Sequence, residues 1–284
     1  MGRKKVRLFW ERNNEKGKVY RAIFDEAYSY LRKLLSSEKI NESIIKNHLN
    51  EWKENTAHSM QDVMLRMLQS ISNKQGMPKS IGNVKDLEPS LEDFDPQRII
   101  KRYNGSWEKL FEEIKQNHKP KSRMSMEKPN NYWVVFCKGT ISAANFLSQF
   151  PTIKEFQEFV KPFLVNDFTK ASLPLLLAKE IKGLGFALAC DFLKEIGYKD
   201  YAKPDVHIIE IFSGIGLSKS KDPYEVFKEV VRFSKLINKS PYVVDKIFWL
   251  VGSGNFYRDH IKIKTNRDEF IRYIKQKYGE ILSQ

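Results

Sequence analysis

The sequence has few of the residues that build metal clusters and disulfide frameworks. It contains two cysteines, Cys137 and Cys190, so its own thiolates cannot supply a four-cysteine zinc site or an iron–sulfur cluster. It has no run of about 18 apolar residues, the length that a membrane-spanning helix needs. Its first five residues lead into no apolar signal-like segment. We therefore expect a cytoplasmic protein, nucleoid-associated if the source is prokaryotic, that requires no cofactor.

Stretches that alternate between apolar and polar residues are also scarce, which disfavours β-sheet. Apolar residues recur instead at helical spacing, and a hydrophobic content of 41% suffices for a packed core. The pattern predicts an all-α fold. We predict two or three helices within residues 15–72, a short helical unit at 94–117, and helices at 132–149, 153–164, 170–181, 186–196, 206–213, 222–237 and 241–251.

Two polar stretches break this periodicity. Residues 73–93 contain two glycines and two prolines, which suggests a linker. A second, basic stretch from His118 to Asn131 suggests another exposed connection. The predicted domains are an N-terminal helical region of unknown role (1–120), a linker (121–131), a helical domain (132–257) and a basic C-terminal helix packed on it (258–284).

The net charge of the chain is +14, and its calculated pI is about 9.5. The basic excess is present on both sides of residue 130, so it is not a detachable tail. A protein with this positive charge attracts polyanions, such as nucleic acid or an anionic membrane surface. The alternative is that the charge only serves solubility.

Residues 177–208 are the most informative segment. One amphipathic helix is predicted to end at Ile181, a tight turn follows at Gly183-Leu184-Gly185, and a second helix begins at Phe186. Glycine tolerates positive φ and lets the backbone approach another surface closely. The N–H groups at the start of the second helix would suit a DNA phosphate. An ordinary corner between two helices is the alternative interpretation.

The continuation of this hairpin resembles the helix-hairpin-helix DNA glycosylase superfamily, which includes endonuclease III and 8-oxoguanine DNA glycosylase. Lys203-Pro204-Asp205-Val206-His207-Ile208 is similar to the family's segment with an essential Asp, and Asp205 lies 20 residues after Gly185. The similarity covers about residues 131–257, with its strong motifs in 177–208. It implies a helical glycosylase-like domain containing a helix-hairpin-helix, with an additional N-terminal helical region.

In that family the Asp is the catalytic carboxylate, and the resemblance implies this role for Asp205. Breaking an N-glycosidic bond gives the deoxyribose oxocarbenium character, which a nearby carboxylate stabilises, and the same group can deprotonate a water. A helix N-terminus would keep the carboxylate ionised. The alternative is that Asp205 is an N-cap and nothing more.

One position departs from the family pattern. Bifunctional members carry a nucleophilic lysine two residues after the second hairpin glycine, where this chain has Ala187. The comparison implies a monofunctional hydrolase that leaves an abasic site, with lyase activity in doubt. Lys182 and Lys203 are substitute amines, although surface solvation explains each. Ala187 is also consistent with loss of catalysis.

The resemblance implies further contacts. For DNA phosphate these are Lys182, Gly183, Gly185, Phe186 and His207. For the base pocket they are Ala187, Asp191, Phe256 and Tyr257, with a solvated helix surface as the alternative for Asp191. Further DNA contacts are Lys138 and Thr140 in a loop, Lys203, Arg258 and Lys262. A structural monovalent cation is implied at the backbone carbonyls of Lys179, Ile181 and Leu184.

The sequence thus predicts a monomeric DNA repair glycosylase that acts on double-stranded DNA containing a lesion and has no membrane partner. Its base selectivity would depend on the cost of flipping a damaged or mismatched base out of the duplex. The first alternative is a helix-hairpin-helix DNA-binding protein without chemistry. The second is an all-helical scaffold for protein partners.

Overall fold

The computed structural model describes residues 2–118, 120 and 122–282, with side chains from Glu15 onward. The regular secondary structure of the described residues is almost entirely helical, which confirms the all-α prediction. Their α-helices are α1 (Gly2–Ser37), α2 (Ser43–Asn50), α3 (Met60–Ser72), α4 (Pro78–Ile81), α5 (Pro96–Tyr103), α6 (Trp107–Asn117), α7 (Tyr132–Leu147), α8 (Ile153–Val160), α9 (Asp167–Glu180), α10 (Phe186–Glu195), α11 (Val206–Ile215), α12 (Pro223–Leu236), α13 (Pro241–Ser253) and α14 (Arg267–Leu282).

Short segments complete the chain. Strand β1 (Asn255–Phe256) pairs antiparallel with β2 (Ile261–Lys262). The 3₁₀ segments are Glu51–Lys53, Val84–Phe94, Lys161–Leu164 and Tyr257–Asp259. No helix among the described residues is both long enough and apolar enough to cross a bilayer.

The predicted linker at 73–93 is wrong. This segment forms α4 and most of a 3₁₀ segment, and it buries a series of apolar side chains: Met77, Ile81, Val84, Leu87 and Leu91. Its glycines and prolines begin and end short helical turns. Pro78 occupies the first turn of α4, and Gly82 has a φ of 75° at its end. The apolar residues between them pack against the protein.

The chain divides into two compact units. The terminal unit comprises Met1–Glu54 and Lys199–Gln284, and the central unit comprises Asn55–Tyr198. This division differs from the predicted boundary at 121–131, part of which, Lys121, lies outside the described residues. The difference arises because α3 packs against α7, and α1 packs against α12 and α13. Each unit therefore builds its own core from helices that are distant in sequence.

The core of the terminal unit is built from α1, α2 and α11 to α14. Tyr20 of α1 stacks on Phe233 of α12, with ring centroids 4.7 Å apart, and Phe233 also contacts Phe212 and Phe248. Both Phe212 and Phe248 are completely buried. A fully buried Phe contributes about 1.5–3 kcal/mol relative to an exposed one. These aromatic contacts hold α11 and α13 in place, and the catalytic candidate Asp205 lies at the start of α11.

The central unit is organised around α7. This helix is buried on most of its surface and packs against α3, α5, α6 and α9. A helix that is apolar on all sides is expected in a core. Trp133 and Phe136 are completely or almost completely buried in it. α7 therefore provides a rigid base for the hairpin between α9 and α10.

Candidate functional site

The predicted helix-hairpin-helix is present in the central unit as α9, a turn and α10. Gly183 has a φ of +80°, a conformation that side-chain-bearing residues rarely adopt. A Cβ at this position would lie 2.9 Å from Cγ1 of Val135. The protein's own packing therefore requires glycine at 183.

The turn is fixed to α7 by two contacts. The Lys182 backbone N–H donates to Oγ of Ser142 over 2.9 Å. A Cβ on Gly139 would lie 2.7 Å from the Lys182 carbonyl oxygen, so glycine allows the turn to approach the helix. Sequence analysis assigned no role to Ser142 or Gly139, because the two contacts cross about 40 residues. These contacts hold the turn rigidly while the Lys182 side chain remains exposed.

Gly185 differs from Gly183. Its φ is −80°, which any residue adopts, and no atom of the described protein lies within 4 Å of the position that its Cβ would take. It is the N-cap of α10, and no side chain caps that end of the helix. A helix N-terminus attracts anions. The absence of a Cβ at 185 thus leaves space in front of this N-terminus.

The predicted DNA contacts on α7 are not in a loop. Residues 138 and 140 lie inside the helix, where Thr140 is completely buried and donates its hydroxyl to the Phe136 carbonyl over 2.9 Å. The prediction of Thr140 as a DNA contact is therefore wrong. Nζ of Lys138 lies 4.6 Å from the ring centroid of Trp107. Apolar residues surround positions 138 and 140 in the sequence, and this pattern is typical of a buried helix and not of an exposed loop.

Asp205 is the N-cap of α11 in the terminal unit. Its Oδ1 accepts the backbone N–H groups of His207 over 2.9 Å and Ile208 over 3.2 Å. Its Oδ2 has no hydrogen-bond partner within the described part of the chain. The side chain is half-buried, and this burial raises the pKa of Asp205, with a further increase from the charge of Asp245. One oxygen thus fixes the carboxylate and leaves the other available.

Asp245 of α13 was not singled out from the sequence. It is 1% exposed, and its Oδ2 accepts the Lys203 backbone N–H over 3.3 Å. The Lys203 carbonyl in turn accepts the Asp205 N–H over 2.8 Å. Because 40 residues separate the two aspartates, no local pattern connects them. A second carboxylate therefore supports the turn that carries Asp205.

His207 is held in one orientation by three neighbours. Nη1 of Arg267 lies 3.2 Å from Nδ1 of His207, and because arginine can only donate, the neutral imidazole carries its proton on Nε2. Its ring makes an edge contact with Trp249, and it lies against Gly252. Burial lowers the pKa of His207, and the charge of Arg267 acts in the same direction. Arg267 itself pairs with Glu210.

The four base-pocket candidates have different environments. Ala187 is half-buried, whereas Asp191 is 5% exposed and lies 3.4 Å from Nζ of Lys194, so it is not a solvated surface residue. Phe256 is 1% exposed inside the apolar core of the terminal unit, which contradicts its assignment to a base pocket. Tyr257 is 36% exposed, and its hydroxyl donates to Glu51.

The basic candidates in the terminal unit are only partly available to a ligand. Arg258 pairs with Glu54 over 2.7 Å, which offsets part of its charge. Nζ of Lys262 donates to the Ser253 carbonyl over 2.7 Å at the end of α13, but the side chain is exposed. Lys203 is half-buried next to Asp205. These three residues remain candidates for DNA contact.

The predicted cation site lies at the end of α9. The Ile181 carbonyl accepts the Leu184 N–H over 3.3 Å, which still leaves one of its lone pairs for an ion. The carbonyls of Lys179 and Leu184 complete the predicted set. Within the described residues, no group of three or more His, Cys, Asp or Glu side chains could hold a metal ion. Cys190 is completely buried.

Comparison with known proteins gives a likeness in structure. No protein-family model and no curated protein sequence matches the chain. The structure of Methanocaldococcus jannaschii 8-oxoguanine glycosylase/lyase, in complex with a 15-mer DNA containing 8-oxoguanine, is similar over 81% of this chain and 98% of that one, with a TM-score of 0.50 and 17% identity. The 8-oxoguanine DNA glycosylase of Thermotoga maritima is similar over 82% and 99%, with a TM-score of 0.46 and 16% identity. The first likeness shows that the chain has the helical fold of that glycosylase.

Proposed function

We propose that the chain is a DNA repair glycosylase in which Asp205 is the catalytic carboxylate. The observation that carries the proposal is the environment of Asp205, whose Oδ1 is fixed by two backbone N–H groups while Oδ2 has no partner within the described residues. The same chain contains a glycine hairpin, has a net charge of +14, and shares the fold of an enzyme solved with lesion-containing DNA.

The hairpin is the proposed grip on the DNA backbone. A phosphate would approach the N-terminus of α10 through the space left by Gly185, where the helix dipole favours negative charge. The exposed ammonium of Lys182 would add a charge contact. In the terminal unit, His207 would offer the proton on Nε2 to the DNA backbone. A monovalent cation at the carbonyls of Lys179, Ile181 and Leu184 would supply positive charge beside the hairpin. These contacts recognise no base, so binding would be independent of sequence and sensitive to salt.

The proposed reaction is hydrolysis of the N-glycosidic bond. The substrate nucleotide is flipped out of the duplex, at a cost that is lowest for damaged or mismatched bases. As the bond between C1′ and the base nitrogen breaks, its electron pair leaves with the base, and the Asp205 carboxylate stabilises the positive charge on the sugar. Asp205 takes a proton from the water that attacks C1′ and later releases it to solvent, while the departing base takes up one proton from solvent, so one water is consumed in total. The products are a free base and an abasic site.

The enzyme is proposed to be monofunctional. A lyase needs an amine that forms a Schiff base with the sugar. Ala187 provides no amine at the hairpin position where the resemblance implies one. We therefore expect hydrolysis without strand cleavage, in contrast to the glycosylase/lyase whose fold the chain shares.

The test is a glycosylase assay on duplexes that each carry one lesion or mismatch, including 8-oxoguanine. Strand breaks are scored before and after hot alkali, for wild type and for Asp205→Asn. The matched control is Asp222→Asn, because Asp222 caps α12 through the same two types of backbone bond but is exposed. We expect breaks only after alkali, lost in Asp205→Asn and retained in Asp222→Asn. Equal activity of Asp205→Asn and wild type would reject Asp205 as the catalyst.

A second candidate function is DNA binding without chemistry, which Ala187 favours. In that case the protein binds duplexes with salt-dependent affinity but releases no base from any of them. Breaks before alkali would contradict both the monofunctional proposal and the non-catalytic one.

A further inference from the structure

We propose that Asp245 is a positioning residue for Asp205: its buried carboxylate anchors the turn that carries Asp205, and its negative charge controls the protonation of Asp205. This inference rests on the proposed function and deepens it. It concerns two side chains of the terminal unit on different helices, α11 and α13.

A short chain of hydrogen bonds connects the two aspartates. Oδ2 of Asp245 accepts the Lys203 N–H, and the Lys203 carbonyl accepts the Asp205 N–H, over 3.3 and 2.8 Å. Pro204, between these residues, is buried and has a fixed φ. The turn therefore has little freedom, and Asp245 helps to determine where the Asp205 carboxylate lies.

The core position of Asp245 makes its charge effective. The residue is 1% exposed, and the interaction between charges is much stronger away from water. Burial makes the largest contribution to the raised pKa of Asp205, and the charge of Asp245 makes the next largest. The like charge disfavours a second negative charge nearby.

Other charged groups face Asp205 from each neighbouring element. Lys203, in the preceding turn, and His207, on α11, lower the pKa of Asp205 and partly offset the effect of Asp245. His207 is itself faced by Arg267 and Glu210, and by Lys262. Asp245 is the negative group in this set that acts directly on Asp205.

This arrangement has a consequence for general base catalysis. A carboxylate with a raised proton affinity removes a proton from water more readily, provided that it is ionised at the working pH. Asp245 would therefore move the acid limb of the pH–rate profile to higher pH. A smaller fraction of Asp205 would then be ionised at a given pH, but the ionised form would be a stronger base.

The experiment compares the pH dependence of base excision in wild type and Asp245→Asn. Asparagine keeps the size of the side chain and an acceptor for the Lys203 N–H, but it carries no charge. We expect the acid midpoint to move to lower pH in Asp245→Asn, because the like charge that raises the pKa of Asp205 is removed. The control Asp222→Asn removes an exposed charge at the start of α12 and should leave the midpoint unchanged. An unchanged midpoint in Asp245→Asn would overturn the proposal.

A second measurement needs no enzymatic activity. The ¹³C chemical shift of the Asp205 carboxyl, assigned by its loss in Asp205→Asn, is followed against pH in the full chain without DNA. The midpoint should be lower in Asp245→Asn than in wild type, and Asp245→Ser provides a second neutral variant if the first does not fold. If wild type excises no base, the proposed function fails while this titration still decides the role of Asp245. A common midpoint in wild type and the neutral variants would refute it.

Discussion

Gly252 of α13 lies directly against His207 of α11. A Cβ at position 252 would be 2.8 Å from Cβ of His207 and 2.9 Å from its Nδ1. The glycine therefore allows the imidazole to lie between α13 and Arg267.

Gly252→Ala should displace His207. We expect a loss of about 1–3 kcal/mol in the free energy of unfolding, as for overpacked cores, together with weaker binding to duplex DNA. Urea denaturation and fluorescence anisotropy measure the two effects. Gly279→Ala is the control, because a Cβ there would make an ordinary contact of 3.5 Å with Lys275. Equal behaviour of the two variants would contradict this role of Gly252.

The two hairpin glycines should respond differently to alanine. Gly183→Ala forces a side chain into the left-handed region and against Val135, at a cost of about 1–2 kcal/mol from the backbone alone. Gly185→Ala should leave the free energy of unfolding unchanged or slightly higher, because its φ is ordinary and the space is open. It should nevertheless reduce DNA affinity, since the added Cβ occupies the proposed phosphate site. Wild-type affinity in Gly185→Ala would argue against that site.

Asp205→Asn should stabilise the fold at neutral pH. The pKa of Asp205 is raised above its ordinary value of 3.8, so the ionised form is disfavoured in the folded chain relative to the unfolded chain. Asparagine retains the N-cap and removes this cost. The increase in Tm should be largest at pH 8 and disappear as the pH falls below about 4, where the unfolded carboxyl is also protonated. Asp222→Asn, at an exposed N-cap, should show no such gain.

His48 should make the fold sensitive to acid. It is completely buried in the terminal unit against the rings of Phe256 and Tyr257, and burial lowers its pKa from 6.5 to about 4. Between these values the unfolded chain binds a proton that the folded chain does not, so stability falls as the pH falls. The loss should approach roughly 3 kcal/mol at pH 4.

Substitution separates this contribution from general acid denaturation. His48→Gln should flatten the dependence of unfolding free energy on pH between 6.5 and 4, whatever its effect at pH 8. His58→Gln, at an exposed position, should leave the slope as in wild type. An unchanged slope in His48→Gln would rule out His48 as its source.

The helices and the hairpin were accessible from the sequence because their signals are local. The start of α11 follows from Pro204 and Asp205, and the turn follows from Gly183 and Gly185. Short-range patterns thus located both candidate sites.

Features that depend on tertiary packing were not accessible in this way. Thr140 is polar but satisfies its hydroxyl within its own helix, so its burial leaves no mark on the sequence. Asp245 acts on a residue 40 positions away, and Arg267 on one 60 positions away. The boundary of the units was missed because α1 completes the core of helices at the other end of the chain. Such pairings require knowledge of which distant helices share a core.

The closure of the terminal unit has a consequence for how the protein is made. Its Arg21 donates to the carbonyl of Ile237, 216 residues further along the chain. The central unit is continuous in sequence, so a growing polypeptide contains all of it before α11 to α14 have been translated. Until then, the apolar face of α1 lacks the residues of α12 to α14 that cover it in the folded protein. Released chains that end after Tyr198 would therefore contain the whole central unit and an α1 whose apolar face is uncovered, which offers a chaperone an apolar surface to bind.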